Sequence, residues 1–401
     1  MPLDASIPPA TVSLLRRQQY ATFGKHSAVK TCHYTKSAIR GKAVCYKQKF
    51  YGIQSHQCIQ MSPAVSHCDQ KCSYCWRPTH TFRPTFDVGA VDEPGFVADE
   101  SINAQNKQLV GFKGESSIVR RKFEESKTPR HVAISLTGEP TLYPELPSLI
   151  DNYHARGIST FLVSNALHPE MLERLIEHPP TQLYLSIDCA TKEEHIKLNH
   201  PDFPDKSWDA LNRSIELLPK IPSRRVIRLT CVKGVNMHDA RAYAALIAKG
   251  KPDFVEVKGY MHVGFSIYRL SKEAMPSMEE VEAFAREIAA AMKYDFRAKD
   301  PGSFVCLLTH PSWKDRSTLI DFRALFPQAY AEQDARMARW QQKEDAAKKT
   351  GREPPSLAAA IRIPTIEKEH APEQVSRSSV PLAPGMYSFE KKSAAREPED
   401  D

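Results

Sequence analysis

Between residues 58 and 258 the chain alternates two kinds of segment, and this alternation limits the fold most. Apolar, β-branched runs are predicted as strands at Cys58–Pro63, His131–Leu136, Ser159–Ser164, Gln182–Ile187, Val226–Val232 and Phe254–Lys258. Between them lie segments of helical period. Trp208, Leu211, Ile215 and Leu218 recur at three- and four-residue steps, as do Tyr243, Leu246 and Ile247. A Pro-Ser start signal precedes the Glu- and Ala-rich stretch from Met278 to Met292. Strands joined through helices run parallel with right-handed crossovers. Six such units predict an α/β fold, a partial (β/α)6 TIM-like barrel that stays open where eight units would close.

Ligands of such sheets bind at the carboxyl ends of the strands. Those ends carry Thr137-Gly138-Glu139-Pro140-Thr141, Ser164-Asn165, Ser186-Ile187-Asp188, Thr230 with Lys233, and Glu256 with Lys258. Gly138 permits a sharp turn, and Glu139 with neighbouring carbonyls suits an ammonium group; a plain structural turn is the alternative. After the first strand comes Cys68-x3-Cys72-x2-Cys75, within Ser66-His-Cys-Asp-Gln-Lys-Cys-Ser-Tyr-Cys75. Three thiolates on so short a loop hold three irons of a 4Fe–4S cube and leave the fourth open to a small molecule. S-adenosylmethionine is the occupant expected in a radical enzyme. Zinc is the bland alternative, but it usually takes four ligands in separated pairs; His67 could supply the fourth, though its place directly beside Cys68 is awkward for tetrahedral closure.

Nine cysteines, an odd and clustered set, indicate metal chemistry in a reducing compartment rather than a disulfide framework, so the cytoplasm is expected. No apolar run is long enough for a membrane span, and the N-terminus lacks a secretory pattern. Charge is uneven. From residue 5 to residue 68 there is no Asp or Glu, while Arg16, Arg17, Lys25, Lys30, Lys36, Arg40, Lys42, Lys47 and Lys49 supply nine positive charges. Such an arm beside an active site fits a polyanion such as nucleic acid. It also fits a solvated arm, or one that offsets thiolate-ligated clusters.

The stretches Cys45-Tyr-Lys-Gln-Lys-Phe-Tyr-Gly-Ile-Gln-Ser-His56, Cys72-Ser-Tyr-Cys-Trp-Arg77, Ile134-Ser-Leu-Thr-Gly-Glu-Pro-Thr-Leu-Tyr-Pro144, Ile227-Arg-Leu-Thr-Cys-Val-Lys-Gly-Val-Asn-Met237 and Val257-Lys-Gly-Tyr-Met-His-Val-Gly264 are similar to the radical S-adenosylmethionine domain of tRNA 4-demethylwyosine synthases. The resemblance spans roughly residues 20 to 300. It implies condensation of pyruvate with N1-methylguanosine beside the anticodon of phenylalanine tRNA, giving the tricyclic wyosine-type base. Pyruvate leaves no direct mark on the sequence and rests on the resemblance. The eukaryotic relatives carry a flavin-binding domain before this region. The chain resembles the shorter archaeal type, so a monomer served by an external donor of the flavodoxin or ferredoxin type is expected.

Cys32, Cys45 and Cys58 follow one another at 13-residue intervals, which matches no ferredoxin spacing; spacing alone leaves them as incidental thiols or a cluster. The resemblance implies that they ligate a second 4Fe–4S cluster. It also assigns Lys47 to a Schiff base with pyruvate, against the alternative that Lys47 or Lys49 meets tRNA phosphate. Tyr74 is expected near adenine, Asn165 and Ser186 near the methionine or ribose, and Gly138, Glu139 and Pro140 at the cofactor's amino group. Val163-Ser-Asn-Ala166 stands where relatives more often have Val-Thr-Asn-Gly. The expected division is an N-terminal cluster-binding extension at 1–57, the radical barrel at 58–300, packed elements at 301–338 and a disordered tail at 339–401, solvated or partner-binding. Other functional readings are a radical enzyme on another substrate, a non-enzymatic iron–sulfur electron carrier, and a zinc-dependent RNA-binding protein.

Overall fold

The protein is described from a computed structural model, which covers residues 7–86, 89 and 91–350. One ten-stranded sheet organises it, with strands β1 (Ala21–Phe23), β2 (Ser27–Val29), β3 (Cys58–Ser62), β4 (His131–Ile134), β5 (Ser159–Ser164), β6 (Gln182–Ser186), β7 (Arg224–Cys231), β8 (Phe254–Gly259), β9 (Asp295–Asp300) and β10 (Val305–Thr309). Strands β3 to β8 pair in parallel and in chain order. All six predicted strands are present. Most of their residues are buried, because helices cover the outer face and side chains fill the inner one.

Antiparallel strands extend both edges. β2 pairs with β3 on one side, and β10 pairs with β8 on the other. The sheet therefore crosses both expected boundaries: residues before 58 belong to it, and position 300/301 falls in the turn between β9 and β10. Two of the unforeseen strands have three residues each, too short for a periodic signal, and β9 alternates with charged residues facing out.

Inward residues at register positions form a central core. Phe161, Tyr184, Val226 and Phe254 pack against Tyr46, Phe50 and Tyr51 of the helix Tyr46–Tyr51, which enters from the N-terminal segment. That helix stops at Gly52, whose φ of 81° lets the chain reverse without a Cβ clash. The predicted helix Met278–Met292 begins with a full capping box between Ser277 and Glu280, worth about 1 kcal/mol. The C-terminal helix Pro327–Lys349 continues beyond 339, where composition predicted a disordered tail. Met337 and Trp340 explain the difference, since they are buried as an apolar pair. The remainder of that predicted tail lies outside the described residues.

Candidate active site between two cysteine sets

The loop of Cys68, Cys72 and Cys75 follows β3 at the carboxyl ends of the parallel strands. Its shape is set by backbone bonds from several elements. Cys68 N–H donates to Arg83 O at 2.9 Å, and Cys75 N–H donates to Cys72 O at 3.0 Å. Arg269 donates from Nε to Ser73 O at 3.2 Å and from Nη2 to Cys75 O. Asn199 Nδ2 reaches Cys72 Sγ at 3.4 Å and the Tyr74 hydroxyl at 3.2 Å.

Gly138 is the point where this loop meets the barrel. Its φ is 72°, and a Cβ there would stand 1.9 Å from Ala64 O and 2.6 Å from His67 O. The next amide, Glu139 N–H, donates to His67 O at 2.7 Å. Gly138 thus docks the cysteine loop onto β4. Glu139 is more occupied than expected. Its buried carboxylate accepts from Thr141 N–H at 3.0 Å, Thr141 Oγ1 at 2.6 Å and Asn165 N–H at 2.7 Å. Burial nonetheless raises its pKa above the usual carboxylate value. The carboxylate holds the turn, and little of it is left for an ammonium group. Pro140 starts the buried 3-10 turn Pro140–Leu142 behind it.

Asn165 follows β5 and donates from Nδ2 to Asp69 Oδ1 at 2.7 Å, within the cysteine loop. Tyr74 donates to the buried Asp188, whose other oxygen accepts from Thr230 N–H at 2.5 Å. Ser186 ends β6 in register with Arg228. The structure therefore gathers Tyr74, Gly138, Glu139, Asn165 and Ser186 around one end of the barrel.

Cys32, Cys45 and Cys58 come from separate elements. Cys32 is the N-cap of the helix His33–Ile39, Cys45 is the N-cap of the helix Tyr46–Tyr51, and Cys58 opens β3. Thr35 Oγ1 ties the first helix to Cys58 O at 3.3 Å. Each thiol feels its neighbours. Burial, then Cys32, pushes Cys45 up to about 12, and burial, Cys32 and Cys45 together raise Cys58. Backbone N–H groups of Tyr34, Thr35 and Lys47 act the other way on Cys32 and Cys45. Buried thiols that oppose one another's ionisation favour a cationic partner in their midst. Among the described residues no three His, Cys, Asp or Glu side chains close around a single metal ion. The three thiols of Cys68, Cys72 and Cys75 are the donor set that a 4Fe–4S cube needs at three of its four iron corners.

Lys47 lies one helical residue beyond Tyr46 and points into the core. It is 8% exposed, with Nζ 4.3 Å from the centre of the Tyr184 ring and 5.4 Å from that of Phe161. Burial lowers its pKa despite the opposing charges of Glu256, Cys45 and Cys58, and Arg228 adds to the lowering. Lys49 differs: its half-exposed side chain pairs with Asp300 at 2.5 Å. Sequence reading named no role for Arg77 or Arg228. Arg77 is buried, donates to the Tyr20 hydroxyl, and has both Cys75 and Cys32 within its field. Arg228 sits between Ser186 and Glu256 in register, on the face that carries Tyr184. A charged residue inside an apolar strand was its only signal.

An open parallel barrel with a Cys-x3-Cys-x2-Cys loop at its carboxyl face defines a radical S-adenosylmethionine protein, and residues 63–247 match the radical SAM superfamily model. Residues 249–310 match the family model for wyosine base formation. Over 287 residues the chain is 45% identical to the S-adenosyl-L-methionine-dependent tRNA 4-demethylwyosine synthases of Pyrococcus abyssi and Pyrococcus horikoshii, covering 71% of this chain and 84% of each relative. The chain belongs to the tRNA 4-demethylwyosine synthase family. A solved TYW1 structure with a lysine–pyruvate adduct bound superposes with a TM-score of 0.69 at 32% identity, covering 79% of this chain and 99% of that one. Membership of the superfamily implies S-adenosylmethionine and a 4Fe–4S cluster. Among the described residues no helix is long and apolar enough to cross a membrane.

Proposed function

We propose that the chain condenses pyruvate with N1-methylguanosine in phenylalanine tRNA to form 4-demethylwyosine. Lys47 carries this reading: it is the buried lysine of a family in which a lysine–pyruvate adduct has been seen, and it stands beside the second cysteine set. Cys68, Cys72 and Cys75 hold the cluster that binds S-adenosylmethionine. Tyr74, Asn165, Ser186 and the backbone of the turn Gly138-Glu139-Pro140 are the contacts we assign to that cofactor. When bound, the pair supplies the one-electron chemistry that removes hydrogen from the N1-methyl group.

The residues of this chain do the rest. Burial shifts Lys47 towards the free amine, whose lone pair attacks the keto carbon of pyruvate; water leaves and an imine forms. Tyr184 and Phe161 line the amine with aromatic carbon and exclude water from it. The methylene radical carbon generated on the base then adds to the imine carbon, and the bond to the carboxyl carbon breaks homolytically, so the C=N bond to Lys47 re-forms and the unpaired electron leaves with the one-carbon fragment. The exocyclic amine of the base displaces Lys47 Nζ and closes the third ring.

We assign Cys32, Cys45 and Cys58 to a second 4Fe–4S cluster. Its support is that three partly buried free thiols from three elements lie close enough to oppose one another's ionisation. The tRNA is expected to approach over His33, Lys36, Arg40 and Lys42, which line a cavity of about 260 Å³ beside Cys32. A cytoplasmic monomer reduced by a flavodoxin or ferredoxin fits this picture. Incubating phenylalanine tRNA with the protein, reductant, S-adenosylmethionine and pyruvate, then measuring nucleoside mass, tests the proposal. A tricyclic product dependent on both small molecules is expected; unchanged N1-methylguanosine would reject it.

A further inference from the structure

We propose that Arg228 is the carboxylate anchor of the substrate bound on Lys47, the residue that selects a 2-oxo acid over a simple carbonyl. The inference rests on the assignment of Lys47 above. It starts from an unmatched charge. Among the described residues the Nε of Arg228 is buried and has no hydrogen-bond acceptor. The carboxylate beside it in the sheet, Glu256, is already engaged. Tyr46 OH donates to Glu256 Oε2 at 2.9 Å, and Tyr51 OH donates to Oε1 at 2.8 Å. Glu256 therefore supplies a negative field to Arg228, while its oxygens are turned to the two tyrosines.

A guanidinium inside a barrel with a buried donor unmet is costly unless an anion completes it. The fork of N–H groups matches a carboxylate best, two bonds to two oxygens. Its position points to the anion's source. Arg228 shares Tyr46, Tyr184 and Glu256 with Lys47 as neighbours. Lys258, another cation on this face, donates its Nζ to Ser303 O. β6, β7 and β8 present Ser186, Arg228 and Glu256 in one row, and Arg228 is near enough to act on the charge of Lys47, so the carboxylate of a pyruvate joined to Lys47 Nζ would find its cation on that row. Holding that carboxylate also fixes the bond that must break when the one-carbon fragment departs.

The carboxylate of S-adenosylmethionine is the alternative source, since Asp188, bonded to Tyr74, also lies within the field of Arg228. The test uses the reconstituted full chain and cyanoborohydride trapping, read as mass on the Lys47 peptide. Pyruvate is compared with acetaldehyde, a carbonyl without the carboxylate. In Arg228→Gln the pyruvate concentration for half-maximal trapping should rise by about 10- to 100-fold. Acetaldehyde trapping should stay within about twofold, and Arg228→Lys should recover part of the loss, because it keeps charge without the fork. An unchanged pyruvate requirement overturns the proposal. So does equal loss with both carbonyls, which would make Arg228 a support of the fold. A rise in the S-adenosylmethionine requirement for 5′-deoxyadenosine release, with pyruvate trapping intact, overturns it in favour of the cofactor carboxylate. If the wild-type chain traps neither carbonyl at Lys47, the Lys47 assignment falls, and this proposal falls with it.

Discussion

Cys68, Cys72 and Cys75 lie on one loop, whereas Cys32, Cys45 and Cys58 are brought together from two helix caps and the start of a strand. The first set is local, so its order depends on how the loop is pinned: by Gly138 from below, Arg269 from the side and Asn199 from the neighbouring helix. The second set exists only once the N-terminal segment has folded onto the sheet. Its surroundings are the core itself, with Tyr46, Tyr51 and Tyr184 close by. The contrast matches the division of labour we propose, in which the loop set starts the radical chemistry and the core set stands beside Lys47, assigned above to hold the second substrate.

The largest expected effect separates the two sets directly. Cys72→Ser should reduce 5′-deoxyadenosine formation by about 1000-fold or more, because no radical can start. Cys45→Ser should leave 5′-deoxyadenosine formation within a few-fold, yet lower tricyclic base by about 100-fold or more and roughly halve the iron content. Equal loss of 5′-deoxyadenosine in both variants would break the comparison.

Glycines sharpen it further. In Gly138→Ala the new Cβ meets a backbone oxygen at 1.9 Å, so the loop must shift; a loss of about 2 to 4 kcal/mol is expected, with poorer iron loading of that set. Gly52 also has a positive φ, but its Cβ would meet Leu319 at an ordinary 3.6 Å. Gly52→Ala should cost only about 1 kcal/mol, the backbone strain alone. Denaturation of both variants checks the order, and a larger loss at Gly52 would contradict it.

Acid should loosen the loop set through its supporting helix. His195 is buried on the helix Lys192–Asn199, and burial lowers its pKa to about 4 from an unfolded value of 6.5. The unfolded chain therefore takes the proton first. Stability from the neutral ring is complete above pH 6.5 and is lost as pH falls towards 4. His195→Gln should flatten this dependence by about 1 to 3 kcal/mol between those limits, measured by urea denaturation across pH. An unchanged slope would remove His195 as its source.

Much of this was legible in the sequence, for reasons that differ by region. The six parallel strands announced themselves because strands buried on both faces read as unbroken apolar runs, and the cysteine loop because its ligands are neighbours in the chain. The edge strands β1, β2 and β9 were too short or too polar to register, and the 1–57 and 301–338 boundaries were drawn through the sheet they complete. Cys32, Cys45 and Cys58 could be read only through resemblance, since their proximity is tertiary. Glu139 shows the limit at residue level. The sequence marked it as a polar residue at a strand end, but its three internal acceptor bonds appear only when Thr141 and Asn165 are in place. The competition at Lys47 between burial and nearby anions likewise depended on depth, and burial prevails.

The most direct measurement traps labelled pyruvate on the protein with borohydride and locates the label by peptide mass. Wild type should carry it on Lys47, and Lys47→Arg should carry none, because arginine keeps the charge but stays protonated and forms no imine. The arginine variant should still release 5′-deoxyadenosine and bind tRNA with a salt dependence changed by no more than about one unit of slope. Formation of the tricyclic base by Lys47→Arg at the wild-type rate, or label on Lys49 in its place, would contradict the account.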